Sequence, residues 1–326
     1  MLVACLLLIA GMLLLIKGAD FFVEGSSKIA KAMKIPTLII GLTLVSMGTS
    51  APELSVSLNA ALGGSSDLSF GNVVGSNIFN TFLILGVASF FVPLVFDRDM
   101  KKYDVPIMVF IYLVLLLFSF IITPYKLTLL ESLFLLLLFI GYLTLLFMRA
   151  KKSSKESEAI ENEKPMTKKT IIISIIMAII GLAAIIFGGD LVVDNAIIIA
   201  KKLNMSEALI GLTIVAVGTS LPELVTSVVA SIKKENDIAI GNVIGSNIFN
   251  IIFIIGLSSS ISPLKVSQRV ALGMNTALFD LIVLILSGIL TLLICKCSKS
   301  LNKWKGVIFV ALYIAYVAFI ICRDII

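Results

Sequence analysis

The segment GLTLVSMGTSAPEL (41 to 54) returns as GLTIVAVGTSLPEL (211 to 224), and GNVVGSNIFN (71 to 80) returns as GNVIGSNIFN (241 to 250). Asp20 with Asp190, and Ala30-Lys31 with Ala200-Lys201, keep the same offset of 170 residues. One offset held from about residue 18 to residue 80 is the mark of a duplicated structural unit, so the fold is built twice.

What that unit is made of follows from composition. Hydrophobic residues make up 59% of the 326, charged ones 14%, and the mean hydropathy is +1.12, which places the chain among integral membrane proteins. A helical span needs about 20 mostly apolar residues. Ten candidates fit: 2 to 24, 36 to 62, 69 to 93, 104 to 122, 127 to 148, 170 to 200, 208 to 232, 238 to 262, 271 to 294 and 306 to 322. Strict alternation, the mark of a membrane β-barrel, is absent. The first run has no basic n-region and no small-residue cleavage site, so it reads as a retained helix and not a signal peptide.

The polar stretch 149 to 169 mixes both charges with Ser and Pro and reads as a flexible linker between two five-span halves, 1 to 148 and 170 to 326. An odd number of spans makes the second half enter the membrane from the opposite side. The expected fold is therefore all-α and polytopic, ten transmembrane helices as two inverted five-helix repeats. Loops on the linker side carry 19 Lys and Arg, and the opposite loops six. That bias puts the linker in the cytoplasm and both termini outside a multi-pass protein of the cell membrane.

The net charge of +6 is absorbed by this orientation signal and argues for a lipid bilayer as partner, not for nucleic acid. The chain has no histidine, so any cation must be held by oxygen. The four cysteines (Cys5, Cys295, Cys297, Cys322) fit neither a disulfide framework nor a zinc site, and no cofactor is called for.

Glu53 and Glu223 lie inside apolar spans, where an ionisable side chain costs at least about 2.5 to 3.5 kcal/mol and signals function. No Lys or Arg stands in the same segments to neutralise them. Helical spacing puts Thr49 and Ser50 on one face with Glu53, and Thr219 and Ser220 on one face with Glu223. Pro52 and Pro222 each remove a backbone donor and clash one turn back, so both helices should break at the Gly-Thr-Ser step. Carbonyls freed around Ser46 and Ala216 could then face a cavity. In the second motif Asn72, Ser76 and Asn80 make a polar stripe at i, i+4 and i+8, which Asn242, Ser246 and Asn250 copy. This is an all-oxygen donor set suited to hard cations such as Ca²⁺ or Na⁺. Two ionised glutamates match one Ca²⁺ or two Na⁺, and an empty, doubly charged site is unfavourable.

GTSxPE in the second and seventh spans, with GNxxGSNIxN in the third and eighth, resembles the calcium/cation antiporter superfamily, prokaryotic sodium/calcium exchanger branch. The resemblance implies an antiporter that exports Ca²⁺ against Na⁺ by alternating access. It implies that Thr49, Glu53, Thr219 and Glu223 hold Ca²⁺. Ser50, Ser76, Ser220, Ser246 and the carbonyls of Ser46 and Ala216 would help hold Na⁺, with Asn80 and Asn250 at the centre. Some relatives carry Asp at the position of Asn250; an amide there weighs against K⁺ co-transport and leaves H⁺ open as counter-ion. A passive channel is the less favoured reading. An intramembrane hydrolase using Ser50 or Ser220 has no histidine base and no lysine in the motif spans.

Overall fold

A computed structural model of the chain describes residues 2–160, 167–203, 216–271, 273–298 and 300–325. Twelve helices run through them: α1 (Leu2–Ala32), α2 (Thr37–Thr49), α3 (Ala51–Leu62), α4 (Asp67–Phe91), α5 (Met100–Ile122), α6 (Leu129–Ile160), α7 (Lys168–Lys202), α8 (Ala216–Gly218), α9 (Leu221–Ile232), α10 (Asn236–Ile261), α11 (Thr276–Cys297) and α12 (Lys303–Ile325). Among the described residues eight helices are long and apolar enough to cross a membrane, and α2 with α3, bent by 48° where they meet, makes a ninth if the pair is one span. Every expected span but the seventh falls on one of these. Of the seventh, 208 to 215 lie outside the described residues and the remainder forms α8 and α9.

The helix of the fifth expected span continues past 148, because α6 stays helical to Ile160, well into the stretch read as linker. Its Arg, Ala, Lys and Glu residues are good helix formers, and helical backbone bonds need no apolar surroundings. Polarity there ends the membrane span but not the helix. Residues 161 to 166 of the linker lie outside the described residues.

Contacts divide the chain into two compact units, Met1–Ser50 with Tyr142–Gly245, and Ala51–Gly141 with Ser246–Ile326. Each unit therefore takes in parts of both sequence halves.

In the first unit α1 and α7 run antiparallel in close contact. Gly11 meets the Gly188 carbonyl, Gly18 that of Gly181, and Gly25 the backbone of Ser174 and Ala178; a Cβ on Gly18 or Gly25 would lie 2.9 or 2.7 Å from these atoms. Lipid offers no hydrophobic drive for helices to associate, so small residues that bring backbones together supply the packing. Beyond α9, Lys233 Nζ lies 2.6 Å from Asp20 and 3.3 Å from Glu24. Ser27 donates to Glu235 at 2.7 Å. These bonds tie the turn after α9 to α1.

The second unit holds three antiparallel two-residue ladders: β1 (Leu94–Val95) with β6 (Ser300–Leu301), β2 (Lys126–Leu127) with β3 (Leu264–Lys265), and β4 (Val270–Ala271) with β5 (Met274–Asn275). They join loops at helix ends. Phe82 packs edge-on against Phe309, and Phe79 against Tyr313, fastening α4 to α12.

Two local features bear on function. The windows of α4 and α10 that carry the second motif are 78% and 94% buried, against 28% for α1 and α7, so the asparagine-bearing helices are the least exposed spans. Both also switch to π-helix, over Asn80–Ile84 and Asn250–Ile255, starting at the last asparagine of each motif. Such π-turns inside α-helices occur frequently at functional sites.

Candidate functional site

The helix break stands where the prolines predict it. Ser50 (φ −80°, ψ 8°) and Ser220 (φ −93°, ψ 8°) leave helical geometry, and new helices start at Ala51 and Leu221. Pro52 and Pro222 thus occupy first-turn positions, where a missing N–H costs nothing. Glu53 and Glu223 follow in the first turns of α3 and α9, where the helix dipole favours a negative charge. Both are 0% exposed.

At the breaks Ser50 N–H donates to the Ser46 carbonyl at 3.0 Å, and Ser220 N–H donates to the Val217 carbonyl at 3.2 Å. The Ser46 carbonyl also lies 3.3 Å from the Thr49 hydroxyl. The oxygen expected to be freed by the break thus stays within a helical turn, and with two lone pairs a carbonyl that accepts one N–H can still meet a cation. Ala216 opens α8, and its side chain lies outside the described residues.

In the first unit the motifs of the two halves meet. Ser50 Oγ donates to Glu223 Oε1 at 3.0 Å. Thr49 Oγ1 donates to Asn242 Oδ1 at 3.0 Å, and Asn242 Nδ2 donates to Ser227 Oγ at 2.9 Å and to the Glu223 carbonyl at 3.3 Å. Glu223 Oε2 and Thr219 Oγ1 are buried with no hydrogen-bond partner among the described residues. A buried acceptor without a donor costs about 1–3 kcal/mol. A cation beside these oxygens would offset that cost.

The second unit repeats part of this pattern. Asn72 Nδ2 donates to Ser57 Oγ at 2.9 Å and to the Glu53 carbonyl at 3.4 Å. Ser76, Ser246, Asn80 and Asn250 are all buried there. Asn250 Nδ2 donates to Asn77 Oδ1 at 2.9 Å, while its own Oδ1 has no partner among the described residues. Reading the stripe at i, i+4 and i+8 missed Asn77, Asn247, Ser57 and Ser227. The offset of the repeat pairs Asn77 with Asn247 and Ser57 with Ser227, and that is the signal that could have found them.

Among the described residues no three of His, Cys, Asp or Glu form a cluster. What each unit offers a cation is hydroxyl, amide and carbonyl oxygens around a single carboxylate, a donor set that suits hard, weakly polarisable cations.

Comparison with known proteins agrees with this chemistry. The family model described as sodium/calcium exchanger protein matches residues 3–148 and 173–322. The chain is 36% identical over 319 residues to the putative antiporter CaxA of Alkalimonas amylolytica, covering 97% of this chain and 98% of that protein. It is 34% identical over 344 residues to the sodium/calcium exchanger MaX1 of Methanosarcina acetivorans, covering 95% and 96%. Among solved structures, the sodium-calcium exchanger NCX_Mj soaked with Na⁺ and Sr²⁺ superposes with a TM-score of 0.82 at 30% identity, over 97% of this chain and 98% of that one. The chain is thus a multi-pass membrane antiporter that belongs to the sodium/calcium exchanger family, within the prokaryotic branch of the calcium/cation antiporter superfamily.

Proposed function

We propose that the protein exports Ca²⁺ in exchange for Na⁺ across the cell membrane by alternating access. In this reading Glu53 and Glu223 supply the carboxylates, with Thr49 and Thr219 beside them for Ca²⁺. Ser50, Ser76, Ser220, Ser246 and the carbonyls of Ser46 and Ala216 serve Na⁺, and Asn80 and Asn250 complete the centre. Ten spans as two inverted repeats, with the linker cytoplasmic and both termini outside, supply the two access directions.

The observation that carries the reading is the bond from Ser50 Oγ to Glu223 Oε1 at 3.0 Å, which joins the two copies of the first motif at a fully buried carboxylate. A buried carboxylate held by one hydroxyl has a second oxygen for a cation, and ionised without one it is costly. Occupancy then governs whether the protein can reorient, as counter-transport requires.

Na⁺ as counter-ion is supported by the family and by relatives named as sodium/calcium exchangers. Sealed vesicles loaded with Na⁺ and holding no pH gradient should take up radiolabelled Ca²⁺ against its gradient. Uptake that requires a pH gradient and ignores Na⁺ would replace Na⁺ with H⁺ and overturn this assignment.

A further inference from the structure

The two copies of GSNIFN are identical in sequence, yet the second unit treats their asparagines differently. In one direction Asn77 Nδ2 donates to the Asn247 carbonyl at 2.9 Å, which turns Asn77 Oδ1 toward Asn250 to accept from its Nδ2 at 2.9 Å. The repeat offset defines the mirror set: Asn247 Nδ2 to the Asn77 carbonyl, and Asn80 Nδ2 to Asn247 Oδ1.

Neither mirror bond stands. Thr81 occupies the place of the first: its hydroxyl donates to the Asn77 carbonyl at 2.8 Å and accepts from Asn247 Nδ2 at 2.8 Å. Asn247 Oδ1 and both amide atoms of Asn80 have no partner among the described residues, although Asn80 is 0% exposed. The cause is readable in the sequence, because the counterpart of Thr81 is Ile251, which has no hydroxyl to interpose.

We propose that Asn77 is a positioning residue for Asn250, and that Thr81 withholds the same support from Asn80. The two central amides then meet the ions unequally, Asn250 as a fixed oxygen and Asn80 as one free to turn. The inference rests on the reading that Asn80 and Asn250 face the transported cations. An amide whose N–H₂ is bonded must present its oxygen on the other side, so the Asn77 bond selects the atom that a cation wants. Support of this kind fixes a ligand's orientation without touching the ion. A free amide can offer an oxygen to a cation or a donor to water, which suits a position whose occupant changes during exchange.

Half-saturating Ca²⁺ for uptake into vesicles loaded with Na⁺ is measured for N77A, N250A and N77A/N250A, and for T81V, N80A and T81V/N80A. Losing the bond between Asn77 and Asn250 should shift the value about fivefold. N77A and N250A should shift it alike, and the double variant no further, since contacting residues are non-additive when one acts through the other. T81V lets Asn247 bond the Asn77 carbonyl directly and accept from Asn80; it should shift the value about threefold. That shift should vanish in the N80A background, and T81S, which keeps the hydroxyl, should show the wild-type value.

Multiplying effects of N77A and N250A, or a T81V shift that persists without Asn80, would overturn the positioning roles while leaving the site intact. Unchanged values for both N80A and N250A would remove these asparagines from the ion path, and this inference with them.

Discussion

Ser50 donates its hydroxyl to Glu223 at 3.0 Å, and both side chains are 0% exposed, although they stand 173 residues apart. The bond orients one carboxylate oxygen and leaves Oε2 without a protein partner among the described residues. A serine from the first copy of the motif thus sets the geometry of the glutamate in the second.

Removing that hydroxyl in S50A should raise half-saturating Ca²⁺ for uptake by about tenfold, because a hydrogen bond to a charged group contributes roughly 1.5–3 kcal/mol. Size-exclusion profiles should stay those of the wild type. A half-saturation value within twofold of wild type would mean that Ser50 does not orient the carboxylate.

Asn242 satisfies the Thr49 hydroxyl, the Ser227 hydroxyl and the Glu223 carbonyl at once. Replacing it by Ala strands several buried polar groups, so N242A should destabilise the protein by about 3 kcal/mol, and S227A, which removes one bond, by less. Thermal melts in detergent give the order. S227A melting below N242A would contradict the network.

Close approach of α1 and α7 depends on residues without side chains. A Cβ at Gly181 would lie 2.5 Å from the Phe22 amide nitrogen, so G181V should separate the pair and lower the melting temperature strongly. G141V is the control, since nothing stands within 4 Å of a Cβ there. Equal melting temperatures for the two variants would rule out backbone packing as the link between these helices.

The repeat and the apolar runs made most of the fold legible. The breaks at Ser50 and Ser220 were legible too, because proline acts locally, through its own ring and missing N–H. The helical extension to Ile160 was not, since hydropathy reports where a span ends and not where a helix does. Nor were the π-turns at Asn80 and Asn250, which depend on packing between distant segments. The partition into units that mix both halves follows from contacts such as Gly41 against Gly241, which open two different motifs and which nothing in the sequence pairs with each other. Asn77 was overlooked for a similar reason: its partners Asn247 and Asn250 are long-range, and no helical period on its own segment singles it out.

Orientation can be read with the native thiols. Cys297, at the end of α11, and Cys322, near the end of α12, are both exposed. With Cys5 replaced by Ala, a membrane-impermeant maleimide should reach Cys322 from outside intact cells and Cys297 only after permeabilisation, as the excess of Lys and Arg on the linker side requires. The reverse pattern would invert the topology proposed here.

The central claim is that Glu53 and Glu223 each hold the transported Ca²⁺. Calorimetric titration of Ca²⁺ into purified protein in Na⁺-free buffer tests it most directly, with E53Q and E223Q beside the wild type and melting curves to verify that each variant is folded. Each variant should lose at least about a hundredfold in affinity, since breaking a buried charged pair costs about 3–5 kcal/mol. A folded E53Q or E223Q that binds Ca²⁺ as tightly as the wild type would contradict the account.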